Sequence, residues 1–195
     1  MSKTNKTKRM ASLRETILSC QACPLYRERN LAVFGEGPEN APLMVIGEGP
    51  GAKEDELGRP FVGRAGKLLD QMMEQAGLSR EKNAFIANIV KCRPPKNRVP
   101  KKQEVQTCFP YLEEQIELVN PKLILLLGAT ALKSYRGTPL RDKISDIRGS
   151  WEKENNRLVM ATFHPAAVFR NPRYKPFIEE DLQAIADKLK ETAAG

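Results

Sequence analysis

The sequence contains very little histidine and cysteine. Among 195 residues there is one histidine, His164, and there are four cysteines, Cys20, Cys23, Cys92 and Cys108. A single histidine argues against a mixed histidine and cysteine ligand set and favours a site built from thiolates alone. The cysteines are too scattered for a small disulfide scaffold, and a chain of this length builds a core without disulfides. They therefore predict a metal or cluster site.

The features of an exported or membrane-bound protein are also missing. The first twelve residues, MSKTNKTKRMAS, lack the apolar stretch of a secretory signal, and no amphipathic basic helix or lipidation signal accompanies the positive charge. We therefore expect a cytoplasmic protein without a membrane partner, in which the thiols stay reduced. We interpret residues 1–12 as a flexible basic arm and residues 13–195 as a single domain, and we expect a monomer.

Acidic residues are fewer than basic ones. Lys and Arg number 32 against 24 Asp and Glu, which gives a formal charge of +8. Much of the excess lies in segments 3–14, 91–102 and 136–148. Such clustering suits a polyanionic partner, with nucleic acid favoured over a membrane, but a basic surface that only keeps the protein in solution explains the charge equally well.

Short apolar segments alternate with segments of helical periodicity. The predicted strands are 43–46, 84–90, 123–127 and 158–162, and the predicted helices are 13–19, 65–76, 102–119, 129–135 and 178–189. Pro110 falls within the third of these helices, where we expect a break or a new helix. The alternation predicts a three-layer α/β/α domain around a central, largely parallel four-stranded sheet, and such sheets bind ligands at the carboxyl ends of their strands.

Unusual residues lie in the loops that follow these strands. Residues 47–55 read GEGPGAKED, whose glycines let a ligand approach backbone N–H groups, although a tight turn with solvated acids explains the run as well. Asn88 lies near the end of the second strand, four residues before Cys92, where its amide either reads the edge of a base or belongs to a turn. His164 follows the fourth strand and is either structural or catalytic. Phe61 is either a core residue or an aromatic platform for a planar ligand.

Together these pieces resemble the family 4 uracil-DNA glycosylases, the iron-sulfur branch of the uracil-DNA glycosylase superfamily. The resemblance covers about residues 13–192 and rests on GEGPGAKED, GRPFVGRAG, ANIVKCRPPKNR and HPAAVFRNP, in the family's order. Spacing alone does not distinguish a four-thiolate zinc site from an iron-sulfur cluster. The resemblance implies a [4Fe-4S] cluster bound by the four cysteines. Lys96 departs from the family, which often has glycine at this position.

The resemblance also implies roles for individual residues. The uracil pocket would consist of Glu48, Gly49, Phe61 stacked on the flipped base, Asn88 at its edge, and His164 facing the uracil O2. Gly49 stands where family 1 enzymes have a water-positioning Asp, which leaves Glu54 as the nearest carboxylate for that task. The catalytic residues are then Glu54 and His164. The residues expected to contact DNA are Lys91, Arg93, Arg98, Lys101 and Arg170.

The implied activity is hydrolysis of the N-glycosidic bond of a uracil flipped out of single- or double-stranded DNA, a base excision repair reaction that leaves an abasic site. The matched motifs contain no lysine nucleophile and lack the Arg-Arg-Ile-His insertion of uracil-trapping relatives, so we expect a monofunctional enzyme that turns over. Two alternatives remain: a non-catalytic nucleic-acid-binding protein with a four-thiolate metal site, and a superfamily relative that acts on another deaminated base or traps uracil covalently.

Overall fold

A computed structural model of the protein describes residues 3–137 and 143–194, so the basic segment 136–148 lies partly outside the described residues. The helices are α1 (Lys3–Ser19), α2 (Ala52–Leu57), α3 (Arg64–Gln75), α4 (Lys102–Val119), α5 (Ala129–Arg136), α6 (Ile144–Ile147) and α7 (Tyr174–Ala194). The strands are β1 (Leu43–Gly47), β2 (Ala84–Asn88), β3 (Leu123–Leu127), β4 (Trp151–Glu154) and β5 (Arg157–Thr162).

The sheet has the order β2-β1-β3-β5-β4. Four strands are parallel and correspond to the four predicted from apolar runs, with β1 pairing with both β2 and β3 and β5 pairing with β3. The prediction of a four-stranded sheet is wrong by one strand, because β4 adds an antiparallel edge to β5. Its sequence, WEKE, is largely exposed, so it lacks the apolar run that identifies a strand buried on both faces.

Helices cover both faces of the sheet and produce the expected three layers. Alternate residues of β1 separate into two cores, since Met44 and Ile46 face the side that contains α1, α4 and α5, whereas Leu43 and Val45 face α3 and α7. The five residues of each of β1, β2 and β3 are all buried. This accounts for the continuous apolar character of these segments in the sequence.

Two helices differ from the sequence predictions. α1 begins at Lys3 and buries Met10 and Ile17, so residues 3–12, expected to form a flexible arm, are helical. α4 continues through Pro110 without a break. Pro110 and Gln106, whose carbonyl group loses its helical donor, are both exposed, so this carbonyl group is accessible to solvent and its missing hydrogen bond costs less than it would in the core.

The topology directs four loops to one edge of the molecule. β1 lies between β2 and β3: the chain runs from β1 to β2 on one side and then crosses β1 to reach β3 on the other, which creates a switch point at the carboxyl ends of the strands. The loops that begin after Gly47, Asn88, Leu127 and Thr162 all start there. None of the helices in the described parts of the chain combines the length and apolar character needed to cross a membrane.

Candidate active site and cysteine centre

A cleft of about 590 Å³ opens at the carboxyl ends of the parallel strands. Its walls come from the glycine-rich loop after β1, the loop before α3, the segment after β2, the start of α5 and the loop after β5. The cleft brings together every residue that the sequence assigned to the uracil pocket, and also Glu54, which it assigned to water positioning: Glu48, Gly49, Glu54, Phe61, Asn88 and His164. Arg98 and Arg170 also line it.

Asn88 supplies an unsatisfied acceptor in this cleft. Its side chain is 2% exposed, and its Oδ1 is buried without a hydrogen-bond partner among the described residues. A Cβ atom on Gly47 would lie 2.6 Å from that oxygen and 2.5 Å from the Phe61 ring, so only glycine allows the two side chains to approach the end of β1. A buried acceptor without a donor is costly unless a ligand supplies one.

Phe61 lies in a loop that is held at several points. Its φ of 50° places it in the left-handed region, which is unusual for a bulky residue. Its ring is buried and lies 5.8 Å from the His164 ring, centroid to centroid, at an interplanar angle of 33°. Glu54 Oε1 accepts hydrogen bonds from the backbone N–H groups of Val62 at 2.9 Å and Gly63 at 2.7 Å. One carboxylate oxygen of Glu54 is therefore committed to the loop that carries Phe61.

The hydrogen bonds of His164 define its tautomer. Its Nδ1 accepts from the backbone N–H of Ala166 at 3.1 Å, so in the neutral ring Nε2 carries the hydrogen. Burial lowers the pKa of His164 to about 4, an effect that the Glu54 carboxylate opposes and the Arg170 cation reinforces. At neutral pH the cleft therefore contains an uncharged imidazole with one N–H donor.

Glu48 is the second carboxyl group in the cleft. Burial raises its pKa, and a hydrogen bond with Thr130 at the start of α5 partly offsets the increase. Thr130 was not predicted from the sequence, although it lies two residues after Gly128, just beyond the end of β3, and the other pocket residues were identified from such positions after strands. Glu48 and Glu54 thus occupy different environments, one in contact with a neutral hydroxyl and the other with backbone N–H groups.

The four cysteines line a second, smaller cavity between the end of α1, the segment after β2, and α4. All four are free thiols. Cys108 Sγ accepts from the backbone N–H of Lys91 at 3.3 Å, and Cys92 Sγ accepts from the Arg29 guanidinium group at 3.0 Å. Burial raises the pKa of Cys108 to about 11, with the Lys91 cation opposing.

Within the described residues, no group of three or more His, Cys, Asp or Glu side chains is placed to hold a metal ion. The cysteines therefore surround a common cavity without meeting at one point. Cys20 and the hydroxyl group of Tyr111 lie 3.3 Å apart, and a hydrogen bond between them raises the pKa of Tyr111 to about 12. Hydrogen bonds of this kind to sulfur stabilise thiolate ligands.

Lys91 does not reach the surface, so its expected contact with DNA is wrong. The side chain is 2% exposed, and its ammonium group donates to the Asn88 carbonyl group at 2.8 Å and to Gln115 Oε1 at 2.6 Å. Burial lowers its pKa to about 8. Lys91 lies beside Cys92 and connects the segment after β2 to α4, so its position in a basic stretch of sequence was misleading.

The other residues expected to contact DNA differ in their exposure and in whether their side chains already have a partner within the protein. Lys101 and Arg170 are exposed. Arg93 Nε donates to Asn97 Oδ1 at 2.7 Å, and Arg98 forms a bidentate ion pair with the buried Glu104, at 2.7 and 2.8 Å. Glu104 Oε2 also accepts from the backbone N–H of Lys101, the residue that caps α4. Arg98 therefore has a structural partner as well as a place in the cleft.

The segment that contains Arg98 adopts an uncommon backbone conformation. Lys96 and Asn97 have φ angles of 53° and 55°, in the left-handed region that favours glycine. A glycine would adopt this conformation at lower cost than Lys96 does. The segment brings Asn97 and Arg98 to the wall of the cleft.

Comparison with known proteins agrees with the arrangement of strands and cleft. Residues 34–190 match the family model of the uracil DNA glycosylase superfamily. The chain belongs to this superfamily, and the resemblance to its type-4 branch is confirmed by the relatives described next.

A type-4 uracil-DNA glycosylase from Sulfurisphaera tokodaii is 43% identical over 91% of this chain and 84% of its own length. Another from Thermotoga maritima is 40% identical over 93% of this chain and 95% of its own length. A type-5 uracil-DNA glycosylase from Pyrobaculum aerophilum is more distant, at 32% identity over 95% of this chain.

Proposed function

We propose that this protein is a uracil-DNA glycosylase, a hydrolase that flips uracil out of DNA and cleaves its N-glycosidic bond during base excision repair. The observation that carries the proposal is the unpartnered Asn88 Oδ1, buried in a cleft that also contains the Phe61 ring and the Nε2–H donor of His164. Extrusion of a base from a duplex costs a few kcal/mol, which the cleft and the contacts to the DNA backbone must offset.

Base recognition follows from the acceptor that Asn88 presents. Uracil has a donor at N3 and an acceptor at O4, which match the Oδ1 and Nδ2 of an amide. Cytosine has an acceptor at N3 and a donor at N4, so it would leave Asn88 Oδ1 unsatisfied and repel it. The face of the base would stack on Phe61, which binds any planar base and therefore adds affinity without adding selectivity.

Bond cleavage transfers the electron pair of the glycosidic bond to uracil and leaves positive character on the sugar. The Nε2–H of His164 would donate to uracil O2, where negative charge grows in the transition state. A preorganised donor of this kind contributes roughly 3 to 4 kcal/mol. His164 does not need to transfer a proton for this task, which suits an imidazole that is neutral at physiological pH.

Water must then attack the sugar carbon and lose a proton. Glu54 is the proposed residue for positioning this water, because only its Oε1 is used by the loop before α3, and Oε2 remains available. Glu48 is the competing carboxyl group, but its raised pKa means that it stays protonated, and unable to accept a proton from water, up to a higher pH than an ordinary glutamate. No lysine nucleophile is assigned, and the product would be an abasic site.

The four cysteines would hold a [4Fe-4S] cluster. The donor set supports this proposal, since the residues lining the cavity include four free thiols and no histidine, and N–H and O–H groups contact three of the sulfurs. When bound, the cluster would join the end of α1 to the segment after β2 and to α4, and its binding free energy would add to the stability of the fold.

Two measurements separate this function from the alternatives. Release of free base from DNA containing uracil, hypoxanthine or a thymine mismatch identifies the substrate, and we expect release of uracil only, with the enzyme recovered free of DNA. Covalent attachment to DNA would indicate a trapping relative. Absence of base release from a protein that contains zinc and no iron would instead support a nucleic-acid-binding protein with a structural metal site.

A further inference from the structure

The left-handed backbone conformation of Phe61 must be stabilised by contacts with other parts of the chain. A φ of 50° is disfavoured for a bulky side chain, because Cβ approaches the backbone too closely. Glycine avoids this contact because it has no Cβ, and asparagine offsets it with a local hydrogen bond, but phenylalanine can do neither. Such conformations persist only where the surroundings hold them. The part of the chain that holds Phe61 in place is therefore part of the machinery that would present an aromatic ring to a base.

Arg80 binds the backbone of this loop and is not among the residues that line the cleft. Its Nη1 donates to the carbonyl oxygen of Pro60 at 2.7 Å, and its Nη2 donates to the carbonyl oxygen of Phe61 at 2.8 Å. The side chain is 10% exposed, and it is fixed in turn by Asp70 of α3, whose carboxylate accepts from Nε at 3.0 Å and from Nη2 at 2.8 Å. The Arg80 guanidinium group therefore bridges the Phe61 loop and α3.

The same loop is held from two further directions. Gly66, one turn before Asp70 on α3, packs so closely that a Cβ atom there would lie 2.0 Å from the carbonyl group of Phe61. Glu54 accepts the N–H groups of Val62 and Gly63, as described above. The Arg80 cation thus binds the carbonyl groups of Pro60 and Phe61. The Glu54 carboxylate binds the N–H groups of the next two residues along the chain.

We propose that Arg80 is a positioning residue for base recognition, which acts by holding the left-handed backbone of Phe61 so that its ring is oriented before a base arrives. The proposal rests on the proposed function for its consequence in catalysis. Arginine suits the task because its planar group donates to two successive carbonyl groups while a third N–H binds Asp70, whereas lysine presents a single point of charge and cannot reproduce this fork.

Loss of this support should lower the fraction of molecules in which Phe61 is correctly oriented, and apparent affinity falls in proportion to that fraction. We expect Arg80→Met to reduce kcat/KM for uracil-containing DNA by about tenfold or more, with the loss mostly in KM because the interactions of His164 with the leaving base are retained. Arg80→Lys should give an intermediate loss. Affinity for undamaged DNA, which does not enter the cleft, should not change.

The matched control is Arg59→Met. Arg59 lies beside Pro60, is more exposed, and pairs with Glu36 at 2.7 Å rather than with the loop carbonyl groups. Arg59→Met removes one positive charge from the same region as Arg80→Met does, and it should leave kcat/KM within about twofold of the parent. Equal losses in Arg59→Met and Arg80→Met would show that charge near the loop, and not the bonds to Pro60 and Phe61, is responsible, and would overturn the proposal.

A double-mutant cycle with Phe61→Ala tests whether Arg80 acts through Phe61. In the Phe61→Ala background, Arg80→Met should cause little further loss, because the ring that it positions is gone. Additive losses would contradict the proposal. The parental protein is assayed first, so absence of uracil release from the parent counts against the proposed function and not against the role of Arg80.

Hydrogen exchange provides a readout that needs no substrate. The amides of Val62 and Gly63 are protected by Glu54 only while the loop keeps its conformation, so Arg80→Met should accelerate their exchange by about tenfold or more relative to the amides of β3. Arg80→Lys serves for the same comparison if Arg80→Met does not fold. Unchanged protection at both positions would refute the proposal whatever the substrate of the enzyme is.

Discussion

The protonation state of His164 is the most direct prediction to test, because it is the only histidine in the chain. A hydrogen bond from Ala166 to Nδ1 places the ring hydrogen on Nε2, and burial lowers the pKa to about 4. At pH 7 about one molecule in a thousand would carry the imidazolium form. Proton and nitrogen NMR should therefore show a single imidazole in the Nε2–H form that does not titrate between pH 8 and 5.

The same shift predicts a dependence of stability on pH. The unfolded chain binds a proton at His164 near the ordinary pKa of 6.5, whereas the folded protein does so near 4, so protonation favours unfolding as the pH falls between these values. The free energy of unfolding is therefore unaffected by protonation of His164 above pH 6.5. It falls progressively between pH 6.5 and pH 4, by as much as about 3 kcal/mol, as the unfolded chain binds the proton first. Comparison of the free energies of unfolding of the parent and His164→Ala over this range isolates this contribution.

Removal of the donor should slow base release. His164→Ala should lower the single-turnover rate by about 100-fold or more, which is the usual cost of one preorganised donor to a developing anion, while affinity for uracil-containing DNA stays nearly intact. Saturating enzyme and rapid quenching measure the rate without product release. A parental rate in His164→Ala would show that the imidazole does not stabilise the leaving base, and an NMR titration near pH 6.5 would show that it is not held neutral.

Three further predictions concern the other parts of the site. Asn88→Asp should lower both affinity for uracil and the single-turnover rate, since a carboxylate repels the uracil O4 and the developing anion; a rate equal to the parent's would exclude Asn88 from base recognition. Cys108→Ala should lose iron and lower the melting temperature, measured by iron analysis and calorimetry, and unchanged values for both would contradict a cluster at this site. Lys101→Ala with Arg170→Ala should weaken binding to all DNA sequences and reduce the slope of log affinity against log salt by about one unit per lost phosphate contact. Lys190→Ala, near the end of α7, is the control, and equal slopes in all variants would exclude DNA contacts at Lys101 and Arg170.

The sequence indicated the location of the site because of a general property of parallel sheets. Runs such as Leu123–Leu127 are apolar throughout, since both faces of the strand are covered, and residues directly after such runs collect at one edge. Asn88 and His164 could be assigned to the site in this way. β4 could not be found, because an exposed edge strand needs no apolar run, and α1 was underestimated because basic residues surround the buried Met10.

Local sequence does not reveal which charged side chains are free. Lys91 and Lys101 lie in the same basic stretch, yet the packing of α4 buries the first and leaves the second in solvent. Arg80 looks like a residue of a polar turn, and its bonds to Pro60 and Phe61 depend on segments twenty residues apart that meet only in the folded chain.

The sequence by itself therefore determined the fold class, the family, the thiolate donor set and the residues at the strand ends, because these follow from periodicity and from short contiguous motifs. The tertiary structure alone decided which of those residues have partners. Hydrogen bonds and burial depend on distances in the folded chain, and these distances made His164 a neutral donor, committed one oxygen of Glu54 to a loop, left Asn88 Oδ1 without a donor among the described residues, and withdrew Lys91 from the surface.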